Sequence, residues 1–266
     1  MREKNFKQVM FETVDCFGID VCLLNVPDLI NEIKRCVEQR CQLTMTAIHF
    51  HTTNIIQSVP ATSDVFNAFD IVVPDGIALT WALYIFGKLN SRDNILRHVE
   101  SWGPFLYSMA VEKGWSIYLL GGGPGMAAQS SENLMRAFPG IKIVGTRHGY
   151  FSIGEQSQDV IHAINQSGAS ILLVGMGQPQ QEEWIIANQR QLNTSVIVGV
   201  GGYFDKVSQM ANAYPKWVYK YRLFWLYRLV KEPKRLWKRY TIGIMVFGLR
   251  VLRVKLALLF SHTNRG

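Results

Sequence analysis

The sequence predicts an α/β fold with a mostly parallel sheet, followed by a basic, helical C-terminal appendage. Three observations carry this. Short β-branched runs end repeatedly in glycine or a polar turn and lead into helix-like stretches, as βαβ units do. The chain is 266 residues long and 48% hydrophobic, enough for one large domain plus an appendage, and this excludes wholesale disorder. The charge changes abruptly near residue 211. From there onward the chain holds thirteen of its 28 Lys and Arg but one of its 20 acids, Glu232, so this segment is +12 and the first 210 residues are −4.

The elements follow in order. Thr44–His49 reads as a strand and Thr53–Phe66 as a helix. Asp70–Val73 is a strand ending in Pro74-Asp75-Gly76, and Ile77–Phe86 continues as an apolar helix. Ile117–Leu120 runs into Gly121-Gly122-Gly123-Pro124-Gly125, after which a helix reaches about Phe138. Ile141–Val144, Ile171–Val174 and Val196–Val200 are three further strands. The second of them leads through Gly175-Met176-Gly177-Gln178-Pro179 into a helix rich in Gln and Glu. Ligands of parallel sheets sit beyond the carboxyl ends of the strands, so residues just after each strand are the candidates for chemistry.

No apolar run follows Arg2, Lys4 and Lys7, so no signal peptide is expected. Ile242–Phe260 is apolar but interrupted by Arg250, Arg253 and Lys255, which suits lying on a membrane rather than crossing it. Trp217, Trp225 and Trp237 interleave with the tail's charge. That mixture fits the water–lipid boundary, and the apolar stretch speaks against a nucleic-acid arm. Cys16, Cys22, Cys36 and Cys41 match no zinc spacing and read as reduced thiols.

Several segments carry two readings. The turn Gly121–Gly125 can present backbone N–H groups to a diphosphate at a helix N-terminus, or simply allow tight packing. Asp75, at a strand end, can be a general base or the cap of the next helix. The acids of Gln180-Gln181-Glu182-Glu183-Trp184 read as ordinary dipole partners in a first helical turn. His49 and His51 read as structural. No Asp-x-Asp or His-Glu-x-x-His occurs, so no metal site and no cofactor are expected.

Read jointly, these pieces form a series. Thr52-Thr53-Asn54, Val73-Pro74-Asp75-Gly76, Leu119-Leu120-Gly121-Gly122, the segment from Val144 to Phe151, Gly175-Met176-Gly177-Gln178-Pro179-Gln180-Gln181-Glu182-Glu183-Trp184 and Val198-Gly199-Val200-Gly201-Gly202-Tyr203-Phe204-Asp205 occur in this order. Trp225-Leu226-Tyr227-Arg228-Leu229 and Glu232-Pro233-Lys234-Arg235 follow them. The series resembles the WecG/TagA/CpsF glycosyltransferase family (glycosyltransferase family 26) over roughly residues 15 to 240.

The resemblance implies a Rossmann-like body, residues 1–210, with a membrane-associating appendage, 211–266. It implies an inverting, metal-independent enzyme that moves a sugar from a UDP-sugar to a polyprenyl-diphosphate-linked sugar. The setting implied is surface polysaccharide synthesis at the cytoplasmic face of the membrane, with peripheral attachment. By motif position Asp75 matches the catalytic base. Thr52, Asn54 and Gln181 match residues lining the same pocket, and the Gly121, Gly122 and Gly123 turn also faces substrate. Arg228 and Arg235 match arginines that close over the site. Two departures occur. Leu96–Pro104 stands where many members have Arg-Val-Thr-Gly-x-Asp, with Arg97 as the matching arginine, and Ala213-Tyr214-Pro215-Lys216-Trp217 replaces Arg-Ala-Pro-x-Trp. A homo-oligomer is compatible with the resemblance; a nucleic-acid partner is not expected. Two other readings stand beside it: a membrane-associated nucleotide-binding assembly factor without turnover, and an NAD(P)-dependent oxidoreductase using Gly121–Gly125. The latter lacks an acid after the next strand to hold the ribose.

Overall fold

The computed structural model describes residues 11–89, 96, 99–152, 155–209, 224–231 and 233–263. A short antiparallel hairpin comes first, β1 (Thr13–Asp15) with β2 (Asp20–Cys22). The main sheet is made by β3 (Leu43–Ile48), β4 (Ile71–Pro74), β5 (Ser116–Gly121), β6 (Lys142–Arg147), β7 (Ile171–Gly175) and β8 (Val196–Gly199). All its pairings are parallel, in the order β4-β3-β8-β7-β5-β6. The chain builds outward from β3 to β4, crosses to β5 and β6, and then fills the middle with β7 and β8. A parallel α/β sheet is therefore what the sequence folds into.

The strands are apolar on both faces, as helices on both sides require. Alternate residues enter two separate cores. Met45, Val73, Leu119, Leu173 and Val198 pack toward α1 (Val26–Gln39), α5 (Val99–Lys113) and α6 (Met126–Ala137). Ile48, Val72, Leu120, Val174 and Ile197 pack toward α3 (Ala61–Asn67), α4 (Ile77–Ile85), α7 (Glu155–Gln166) and α8 (Gln180–Asn188). Trp184 of α8 is the largest fully buried side chain of this second core.

The helix expected over Thr53–Phe66 is two helices. α2 spans Phe50–Ser58, and α3 starts after Pro60. A residue before proline is pushed out of the α region, and Val59 has φ −133° and ψ 84°. The sequence reading also left out β1, β2, α1, α5, α7 and the short helix Tyr203–Val207. Helix α5 holds Pro104 inside it, and its buried Trp102, Leu106, Tyr107 and Ala110 outweigh that local signal.

After β8 come the short α9 (Tyr203–Val207), α10 (Phe224–Lys231), α11 (Pro233–Tyr240) and α12 (Ile242–Thr263). Phe247 and Val251 of α12 are buried in the second core, where Phe247 meets Phe50 and Phe17 with ring centroids 6.1 and 5.7 Å apart. Leu236 of α11 is buried as well. The appendage thus packs on the body. Among the described residues no helix is long and apolar enough to cross a membrane.

Gly121 shows how tightly the strand ends meet. Its φ is 145°, and a Cβ there would lie 2.3 Å from the Gly175 carbonyl oxygen of the neighbouring strand. A Cβ on Gly123 would meet nothing nearer than Met126 Sδ at 3.6 Å. Gly121→Ala is therefore expected to cost about 3 kcal/mol and Gly123→Ala less than about 1, as read by urea unfolding.

Candidate active site

A cavity of about 1320 Å³ opens where the carboxyl ends of the strands meet the appendage. Asp75, Asn54, Gly122, Gly123 and Gln181 all line it, although 127 positions separate the first of them in the chain, Asn54, from the last. From the appendage Lys238, Arg239, Gly243, Val246 and Arg250 complete the wall. Three helices start at this edge without any side-chain cap hydrogen bond: α4 after Gly76, α6 after Gly125 and α8 after Pro179. Uncapped first-turn N–H groups and the helix dipole make such ends favourable for anions.

Asp75 is half-buried, and its backbone N–H donates to Ile48 O at 2.6 Å. It does not cap α4; the cap position is Gly76. That leaves the carboxylate at the end of β4, on the cavity wall.

Asn54 lies on α2 and faces the appendage. Its amide N–H₂ donates to Gly243 O at 2.7 Å, and its Oδ1 accepts from Arg250 Nη1 at 2.8 Å. The same residue lines the cavity and pins α12 to the body.

Thr52 stands behind the wall, buried, with its hydroxyl donating to Gln178 Oε1. His49 is the N-cap of α2, with Nδ1 2.7 Å from the Thr52 hydroxyl and Nε2 2.7 Å from Arg239 Nη2. One edge of the imidazole borders the cavity, but protein encloses the ring. Burial and then the Arg239 charge push its pKa down to about 3, with Asp75 pulling weakly the other way. The ring is neutral at ordinary pH.

Gln181 is buried, donating from Nε2 to Glu182 Oε1 at 2.7 Å while its Oε1 accepts from Gly201 N–H at 3.0 Å. A Cβ on Gly199 would lie 2.8 Å from that Nε2, so glycine on β8 makes the room.

Glu182 is 0% exposed and is not the surface dipole partner expected from its place in a first helical turn; Glu183 is the exposed one. Its Oε1 accepts from Thr46 Oγ1 at 2.7 Å, Gln178 Nε2 at 2.9 Å and Gln181 Nε2. Burial raises its pKa to about 7, and these hydrogen bonds hold it from rising further.

Gly121 does not border the cavity and is pressed against Gly175 instead. Arg97 lies outside the described residues, and so do the side chains of Arg228 on α10 and Arg235 on α11. The sequence reading missed Thr46, Gln178, Glu182, Arg239 and Arg250. Only the Gly-Met-Gly-x-Pro turn signalled any of them, by marking the segment that holds Gln178 and Glu182.

Residues 14–259 match the family model of the glycosyl transferase WecG/TagA/CpsF family. The chain belongs to this family. It is a glycosyltransferase, as the motif series implied, so the sensor and oxidoreductase readings fall away. Two curated relatives carry more specific names. The chain is 29% identical over 198 residues, 73% of its length and 81% of the relative's, to the UDP-Gal:alpha-D-GlcNAc-diphosphoundecaprenol beta-1,4-galactosyltransferase of Shigella boydii. It is 30% identical over 183 residues, 68% of its length and 67% of the relative's, to the N-acetylglucosaminyldiphosphoundecaprenol N-acetyl-beta-D-mannosaminyltransferase of Bacillus spizizenii.

His49 and Glu182 oppose each other in acid. His49, depressed from 6.5 to about 3, contributes stability that is present above pH 6.5 and lost as pH falls toward 3. Glu182, raised from 4.5 to about 7, contributes stability that is present below pH 4.5 and lost as pH rises through 7. Between about pH 4.5 and 6.5 the two slopes cancel. Glu182→Gln is expected to leave the His49 slope unopposed there, up to about 1.4 kcal/mol per pH unit, as measured by chemical unfolding at a series of pH values.

Proposed function

We propose that this chain is an inverting glycosyltransferase that moves a sugar from a UDP-sugar to a polyprenyl-diphosphate-linked sugar, with Asp75 as general base. The observation that carries the reading is the placement of Asp75 on a cavity ringed by uncapped helix N-termini and appendage cations. In a single displacement the acceptor hydroxyl oxygen attacks the anomeric carbon. The bond from that carbon to the UDP oxygen breaks, and the hydroxyl proton passes to Asp75. The departing diphosphate gathers negative charge. Lys238, Arg250 and the first turn of α6 border the space where it would emerge. In this reading these groups meet that charge and the reaction is metal-independent.

The names of the two relatives share an acceptor, N-acetylglucosamine on diphosphoundecaprenol, and differ in the sugar transferred. That lipid-linked N-acetylglucosamine is the acceptor to test first, and a product of this kind serves the assembly of a surface polysaccharide. The donor sugar follows from the shape of the pocket.

We read residues 1–210 as the catalytic body and 211–266 as an appendage resting on the cytoplasmic face of the membrane. Helix α12 supports this with two apolar faces. Phe247 and Val251 are buried on the body, while Ile242, Met245, Leu249, Leu252, Leu256 and Phe260 recur at helical spacing and stay exposed. An apolar stripe flanked by Arg and Lys suits insertion at an anionic lipid surface, where each cation adds about 1 kcal/mol.

The test is a mass-spectrometric transfer assay with a panel of UDP-sugars, short-chain polyprenyl-diphosphate N-acetylglucosamine and EDTA. One added sugar is expected with the wild type. Asp75→Asn should lower kcat by about 10² to 10⁴ while UDP binding persists. Transfer undiminished by the substitution would remove Asp75 as the base, and transfer abolished by EDTA would remove the metal-independent mechanism.

A further inference from the structure

His49 is offered more donors than a neutral imidazole can accept. Nε2 is 2.7 Å from Arg239 Nη2, while Nδ1 is 3.1 Å from the Thr52 backbone nitrogen and 2.7 Å from the Thr52 hydroxyl. A guanidinium has no lone pair, so Nε2 must be the acceptor of that contact. The neutral ring then carries its proton on Nδ1, which gives up the cap hydrogen bond from Thr52 N–H. A doubly protonated ring would set N–H against N–H, and the low pKa of His49 agrees that it does not form.

With the proton on Nδ1, the ring donates to Thr52 Oγ1. The Thr52 proton is then left for Gln178 Oε1. Gln178 cannot turn its amide around, because its Nε2 donates to both Ala47 O and Glu182 Oε1. Gln181 is fixed likewise, by Gly201 N–H on one side and Glu182 on the other. A one-way chain therefore runs from Arg239 through His49, Thr52 and Gln178 to Glu182, the same oxygen that holds Gln181. Take Arg239 away and the ordinary helix cap wins: Nδ1 accepts from Thr52 N–H, and the proton moves to Nε2.

We propose that Arg239 is a positioning residue for sugar transfer: seated on His49 Nε2, it selects the Nδ1–H tautomer, so that the ring donates to Thr52 Oγ1 and steadies the hydroxyl whose own proton is held by Gln178 Oε1. Stacking over the rings of Phe50 and Tyr240, at 5.9 and 5.8 Å, holds the guanidinium in that place. The effect on catalysis rests on the pocket reading above; the tautomer does not.

The experiment is two-bond ¹⁵N–¹H correlation NMR of the full chain with ¹⁵N-histidine, His49 being assigned by its loss in His49→Gln. The wild type is expected to show the Nδ1–H pattern and Arg239→Met the Nε2–H pattern. Arg239→Lys, which also donates and cannot accept, should keep Nδ1–H. In the transfer assay Arg239→Met should lower kcat by about tenfold or more with a smaller change in KM, and Arg239→Lys should recover most of it. An Nε2–H wild type, a tautomer unchanged in Arg239→Met, or a lysine variant that behaves as the methionine one would each overturn the proposal. The wild-type spectrum decides even if Arg239→Met fails to fold. Because the spectra need no substrate, failure of the assigned chemistry would leave the tautomer result standing.

Discussion

Helix α12 lies on α2, and the cavity has its far wall because it does. Among the described residues Asn54 makes the polar contacts of this seam, donating to Gly243 O and accepting from Arg250 at its Oδ1 and its backbone O. Phe50 and Phe247 make its apolar part. Hydrogen bonds to a charged partner contribute about 1.5–3 kcal/mol each, so a seam of this kind holds two units together without making the contact permanent. A body that is slightly acidic as a whole is thereby given a cationic rim just where a diphosphate would leave.

The rest of the site follows from the sheet. Parallel strands deliver Asp75, Gly122 and Gln181 to the same edge, although they are far apart in the chain. Three of the helices that begin there, α4, α6 and α8, are left without side-chain caps, so their first N–H groups stay available to an anion. Beneath them Glu182 is the buried anchor, and every donor to it comes from a residue that lines or backs the cavity. The floor of the site is thus ordered by the core, while its lid is borrowed from the appendage.

Much of this was legible in the sequence, for reasons that are local. β3 to β8 declare themselves by apolar, often β-branched runs closed by glycine, proline or a polar turn, and the motif series points to the family and to Asp75 as the candidate base. What was not legible depends on partners distant in the chain. Glu182 looks like any acid in a first helical turn; it is buried because Thr46, 136 residues earlier, comes to meet it. The same holds for His49, whose meaning comes from Arg239, 190 residues later. Asn54 reads as a pocket residue, yet its amide also holds the appendage. The three-residue strands β1 and β2 are too short to show a period, and Pro104 hides α5 from any reading of propensity.

The central claim is that the docked appendage is part of the catalytic site. The most direct measurement is a double-mutant cycle on kcat/KM for Asn54→Ala and Arg250→Ala, singly and together. If the seam builds the site, the two changes are non-additive, with a coupling of about 1 kcal/mol or more between contacting residues. Strictly additive losses would contradict it, and would mean that α12 rests on the body without shaping the chemistry.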